Sequence, residues 1–197
     1  MIIGDYYSLM VHLDKAYIPN YHDDPLGFFS FHIDGKLYPH HFYRSAMEIY
    51  HILDKMKENL EKWLASNPPD FTFSIDDIEQ MEIDGHREQF DGSSDDKNFI
   101  SSFYRYNDSL LRLSAYTELE DVMFCCYLGF RDNEDRFFYS LGFNEDKLHH
   151  VLREINYPRG TVVNLIRALP NANDLETVVE FESNNISRSY TRTKIKN

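Results

Sequence analysis

The stretch FFSFHIDGKLYP, Phe28 to Pro39, sets two apolar runs on either side of Asp34-Gly35. Both central positions of a type I′ turn need positive φ, which Asp and Gly tolerate. Phe28–Ile33 and Lys36–Tyr38 therefore read as the arms of a β-hairpin. Its aromatics, with Phe42 and Tyr43 beyond, could in principle stack on nucleic-acid bases. Their period-two spacing and the negative balance of the chain mark core instead, and the same holds for Phe137, Phe138, Tyr139 and Phe143. Upstream, Tyr7, Leu9 and Val11 alternate with Ser8 and Met10 as a second strand. A turn region with Pro19, Asn20, Asp23, Asp24 and Pro25 separates the two.

Downstream, Ser45 and Glu48 form a capping-box pattern. Ile49, Ile52, Leu53, Met56, Leu60, Trp63 and Leu64 then recur at helical spacing, and Asn67-Pro68-Pro69 stops them. The second half reads as a meander. Leu110–Tyr116 alternates weakly. Val122–Phe130 is apolar on both faces, as in a central strand covered on both sides. Residues 131–135 turn into a strand at Arg136–Phe143. Asn144 is placed to cap a helix from Glu145 to Ile155, with Leu148, Val151, Leu152 and Ile155 on one face. Thr161–Leu169 fits a helix or a buried strand, and Leu175–Phe181 fits a last strand. Hairpins interleaved with few helices predict an α+β fold, an antiparallel sheet packed against one long and one or two shorter helices. A chain of 197 residues, 42% hydrophobic, suits a single domain over 1–197.

Charge is unevenly distributed. Between Asp70 and Asp96 ten carboxylates face one cation, Arg87, so this segment holds most of the formal net charge of -13. Such a field attracts basic partners and speeds their association. Asp76, Asp77, Glu79, Glu82, Asp84, Glu88, Asp91, Asp95 and Asp96 are accordingly the candidate partner-binding residues, bordered by Phe90, Phe99 and Tyr104. The composition predicts an acidic mobile segment at 70–98, loosest over 84–98, and a basic tail at 184–197. Nucleic acid is excluded as a direct partner by the shortage of clustered Lys and Arg. The opening residues hold no signal-peptide pattern and the longest apolar run is too short for a bilayer, so a cytoplasmic protein with no membrane role is expected.

Recognisable chemistry is scarce. His40-His41 and His149-His150 are sequence neighbours, which is not ligand spacing, and no His-Glu-x-x-His or Cys-x-x-Cys occurs. Asp91, Ser93 and Asp95 resemble a calcium loop, but Asp96 stands where Gly is needed and Ser102 where the bidentate Glu is. The adjacent Cys125 and Cys126 point to opposite faces of a strand and read as small buried hydrophobes. With no nucleophile elbow and no phosphate-cradling loop, no catalytic residue, no metal and no cofactor is expected.

The opening IIGDYYSLMVHL (Ile2–Leu13) and the hairpin FFSFHIDGKLYP resemble family 42 of the immunity proteins of bacterial polymorphic-toxin systems, over roughly the first 60 residues. The later LREINYPRG (Leu152–Gly160) is compatible with that family. The resemblance implies a small cytoplasmic protein, not an enzyme, that binds and neutralises a cognate toxin domain. A basic partner, for instance a nuclease, suits the acidic segment. Two alternatives remain at the level of sequence: a small hydrolase using unpatterned carboxylates, or a non-catalytic regulatory binding domain.

Overall fold

The structure, a computed structural model, describes residues 1–5, 7–17, 26–39, 47–91, 108–115, 117, 119, 124–147, 149–171, 174–175, 177–181 and 190–192. In chain order these form β1 (Ile2–Gly4), β2 (Leu9–Tyr17), β3 (Leu26–Ile33), β4 (Lys36–Tyr38), β5 (Met47–Glu48), α1 (Ile49–Ala65) and α2 (Ile75–Asp91). There follow β6 (Leu110–Arg112), β7 (Cys126–Arg131), β8 (Glu134–Asn144), β9 (His149–Pro158), α3 (Thr161–Arg167), β10 (Thr177–Phe181) and β11 (Tyr190–Arg192).

The α+β class is as expected, but the strands divide between two sheets. The first runs β11-β10-β2-β3-β4, with β1 beside β2 and β5 beside β3; the second runs β6-β7-β8-β9. Every pairing is antiparallel except β10 with β2. Asp34 and Gly35 make the β3–β4 turn, both at positive φ as the hairpin reading requires (50° and 76°). The sheets meet through aromatic contacts, with Phe31 against Phe137 at 5.4 Å and Tyr38 edge-on to Tyr139 at 4.8 Å between ring centroids.

The α1 stripe is buried as predicted: Ile49, Ile52, Leu53, Met56, Leu60 and Trp63 all enter the main core. Each such side chain contributes about 1.5–3 kcal/mol of burial. Trp63 stacks on Phe130 and donates its indole N–H to the Asp108 carbonyl at 3.1 Å, fixing the helix against the second sheet. The helix begins at Ile49, later than the Ser45 reading, because Met47–Glu48 pairs with Leu26–Gly27 of β3 and its backbone is committed to that ladder. Ser45 itself lies outside the described residues.

The doubly apolar β7 is a central strand with both faces covered. Cys126, Leu128 and Phe130 enter the main core, while Cys125 and Tyr127 enter a second cluster under α2 with Phe71, Ile78, Phe138 and Leu152. The two cysteines thus face opposite ways. The expected helix at 145–155 is instead strand β9, paired along its length with β8. Leu152 faces the α2 cluster, while Ile155 and Tyr157 pack on the main core. Two apolar faces of one strand imitate a helical stripe when read in one dimension.

The ambiguous Thr161–Leu169 segment is helix α3, which buries Val162, Val163, Leu165 and Ile166. Its N-cap is Gly160, which has no side chain to offer. Asp135 of β8 takes that role from across the fold, accepting the amides of Gly160 and Val162 at 2.9 and 2.8 Å.

Candidate functional site

The acidic segment is ordered into α2 by identifiable contacts. Ser74 and Asp77 form a reciprocal cap: the Ser74 amide and hydroxyl both donate to Asp77 Oδ2, and the Asp77 amide donates to Ser74 Oγ. Asp76 and Asp77 also sit in the first turn, where negative charge favours the helix. Just upstream, the Arg136 guanidinium donates to the carbonyls of Phe71 and Phe73 at 2.7 and 2.8 Å and forks onto Glu154 at 2.6 and 2.9 Å. It lies on the rings of Phe71 and Phe138. This buried arginine fixes the chain that leads into α2.

The helix then covers the outer edge of β9. The backbone amide of His150 donates to Glu82 Oε2 at 2.7 Å, and that of Leu152 to Glu79 Oε1 at 3.0 Å. Among the described residues β9 is the last strand in its sheet, and these amides pair with no strand there. Two carboxylates three residues apart on a helix take the place of one.

The predicted binding residues therefore divide. Glu82 is a correction: it is buried, so it does not belong to a contact surface. Glu79 is half-buried and engaged with β9, and Asp77 is half-buried in the cap. Asp76 is exposed, and Asp84, half-buried, accepts from Gln80 at 2.7 Å. Glu88 and Asp91 belong to the last turns of α2. The expectation of loose chain from 84 onward is corrected as far as Asp91, because the helix continues to that residue. Asp95, Asp96, Phe99 and Tyr104 lie outside the described residues, as does most of the 184–197 tail.

Around Glu82 the fold assembles a polar cluster that sequence reading missed. Tyr127 donates its hydroxyl to Oε1 at 2.5 Å, His150 Nδ1 lies 3.1 Å from Oε2, and Cys125 Sγ lies 3.5 Å from Oε1. Its members are separated by more than 40 residues from Glu82, so no local motif could reveal it. Burial alone would raise the Glu82 pKa, but the hydrogen bonds and charge of His150 and the Tyr127 hydroxyl hold it below the usual carboxylate range. Burial pushes the Cys125 thiol well up, reinforced by the Glu82 charge, and does the same to the Tyr127 phenol. At neutral pH both are protonated donors, so Cys125 is not an activated nucleophile.

Comparison with known proteins bears on what such a fold does. A comparison with curated proteins finds no match. Among solved structures, the chain is similar to the crystal structure of CdiI from Burkholderia dolosa AUO158. Identity is 14%, coverage is 85% of this chain and 96% of that one, and the TM-score is 0.46. The family model described as Immunity protein 42 matches residues 1–172, well past the 60 residues that carry the resemblance and through β1 to β9, α1, α2 and α3. With most of its length matched, the chain belongs to the Immunity protein 42 family.

Proposed function

We propose that this protein neutralises a cognate bacterial toxin domain in the cytoplasm by binding it through the acidic outer side of α2. The observation that carries the reading is the family match over residues 1–172. The placement of charge on α2 supports this choice of surface. Glu79 and Glu82 turn toward β9, whereas Asp76 and Asp84 stand away from it. Glu88 and Asp91 add two more carboxylates to the same helix. With a chain charge of -13, this helix suits a basic partner such as a nucleic-acid-cleaving domain, whose cleft must itself attract phosphate. Binding and occlusion need no catalytic residue of the chain's own.

The test is association kinetics between the purified chain and the toxin domain encoded beside it. Replacing Asp76, Asp84, Glu88 and Asp91 together by Asn or Gln should slow association roughly tenfold or more at low salt, within the range that steering confers, and flatten its salt dependence. An unchanged on-rate at low salt overturns the acidic surface. Failure to bind any adjacent toxin domain overturns the function.

A further inference from the structure

We infer that Glu82, Cys125 and His150 form a zinc site that clamps α2 to the second sheet. Among the described residues they are the one group of His, Cys and acidic side chains whose ligand atoms converge, all lying within 4.8 Å of one another. The two separations from the Glu82 carboxylate are close to those of ligands on one ion, and Cys125 Sγ lies within 4.8 Å of a His150 ring nitrogen. Zinc bonds of about 2.0–2.3 Å at tetrahedral angles place ligand atoms roughly 3.2–3.7 Å apart. Here Cys125 Sγ to Glu82 Oε1 is 3.5 Å, and His150 Nδ1 to the Glu82 oxygens is 3.1–3.2 Å.

The donor set of one thiol, one imidazole and one carboxylate suits a borderline-soft dication. It does not suit calcium or magnesium, which take oxygen ligands. All three residues are buried. Tyr127, bonded to Glu82 Oε1, supplies the outer hydrogen bond that orients a ligating carboxylate. On binding, the Sγ–H bond of Cys125 breaks, its proton leaves to solvent, and the sulfur electron pair forms the metal bond. His150 ligates through Nδ1 with its proton on Nε2, and water completes the tetrahedron. Arg112, near enough to favour the Cys125 thiolate, also opposes a cation. The two anionic ligands, thiolate and carboxylate, outweigh its single charge.

The ligands come from α2, from the residue just ahead of β7, and from β9, so the ion would tie three elements together. Binding the folded state alone then raises its stability by mass action. This inference is independent of any toxin partner.

The experiment titrates the full-length, metal-stripped chain with Co²⁺, then displaces it with Zn²⁺. One equivalent should give tetrahedral ligand-field absorption and a thiolate-to-cobalt charge-transfer band, both lost on adding Zn²⁺, and Zn²⁺ should raise the unfolding midpoint. Cys125→Ala should abolish the charge-transfer band. Cys126→Ala, on the other face of the strand, should retain it. Absence of the thiolate band in the unsubstituted chain overturns the site without reference to any variant. Octahedral binding at exposed histidines also overturns it, as does a band that follows Cys126.

Discussion

Glu82 Oε2 stands 2.7 Å from the backbone nitrogen of His150, so a helix side chain fills the place of a missing strand beside β9. Glu79 does the same for Leu152 at 3.0 Å. An uncovered β9 would offer a row of free amides to any other chain, and α2 closes that edge. Two members of a highly charged segment thereby serve architecture rather than a contact surface.

The division predicts unequal costs for similar substitutions. Glu82→Ala strands the buried His150 amide and the Tyr127 hydroxyl, and should cost about 2–6 kcal/mol, one to three for each donor left unpaired. Asp76→Asn, on the exposed side, should change stability by less than about 0.5 kcal/mol. Urea denaturation followed by the fluorescence of Trp63, the sole tryptophan, measures both. Equal effects would show that the edge contact contributes nothing.

Arg136 is expected to be the most sensitive charged position. Its guanidinium meets two carbonyls, one carboxylate and two aromatic rings while only 5% exposed. Arg136→Ala should destabilise by about 3 kcal/mol or more by leaving those acceptors unpaired. Arg136→Lys cannot reproduce the fork and should recover only part of the loss. Hydrogen exchange should show α2 opening first in either variant, and a uniform loss of protection would contradict that order.

Gly129 of β7 has a steric reason to be glycine. A Cβ there would lie 2.7 Å from the Phe71 Cβ, closer than carbon atoms pack, while the Phe71 amide is bonded to the Phe130 carbonyl alongside. Gly129→Ala should therefore cost about 1–3 kcal/mol through overpacking. A double-mutant cycle with Phe71→Gly, which removes the clashing Cβ, should recover some of it, and strict additivity would rule out the clash.

On α1, Glu58 sits between Lys55 at 2.7 Å and Lys62 at 2.5 Å, and their hydrogen bonds and charges hold its carboxyl at about 2. A depressed folded pKa adds stability above the unfolded value of 4.5, which is lost as the pH falls from there through about 2. The group is exposed to solvent, so salt should screen the effect. An NMR titration of the Glu58 side chain should give a midpoint well below 4.5 at low ionic strength, rising with added salt. A salt-independent midpoint would rule out the two lysines as its cause.

What the sequence disclosed and what it hid follow from the range of the interactions. The Asp34-Gly35 turn and the α1 stripe are local, fixed by φ preferences and by neighbours three or four residues apart, and both are legible. Strand β9 imitates a helix in the sequence because Leu152 and Ile155 belong to opposite faces, and because His150 and Glu154, polar in composition, are taken up by Glu82 and Arg136. The acidic segment read as loose chain because like charges repel along a line. In three dimensions Asp77 caps the helix and Glu79 and Glu82 bind amides 73 and 68 residues on. The Glu82–Cys125–His150 cluster depends on the pairing of β7, β8 and β9, which no spacing in the sequence encodes.

Asp135 extends the same principle to α3. This carboxylate, 0% exposed, accepts the Gly160 and Val162 amides from outside the helix, so a short helix with no cap of its own is started by a neighbouring strand. Asp135→Ala leaves both donors unpaired, the Val162 amide buried and the Gly160 amide half-buried, and should cost about 2–3 kcal/mol. Asp135→Asn keeps one acceptor oxygen and should cost about half as much. Because α3 buries Val162, Leu165 and Ile166 in the main core, a frayed first turn should also loosen packing around α1. Amide exchange at Val162 and Val163, measured beside the urea midpoint, separates the two effects. If the cap starts the helix, exchange there must rise more in the Ala than in the Asn variant; equal exchange in the two would mean that core burial alone holds α3.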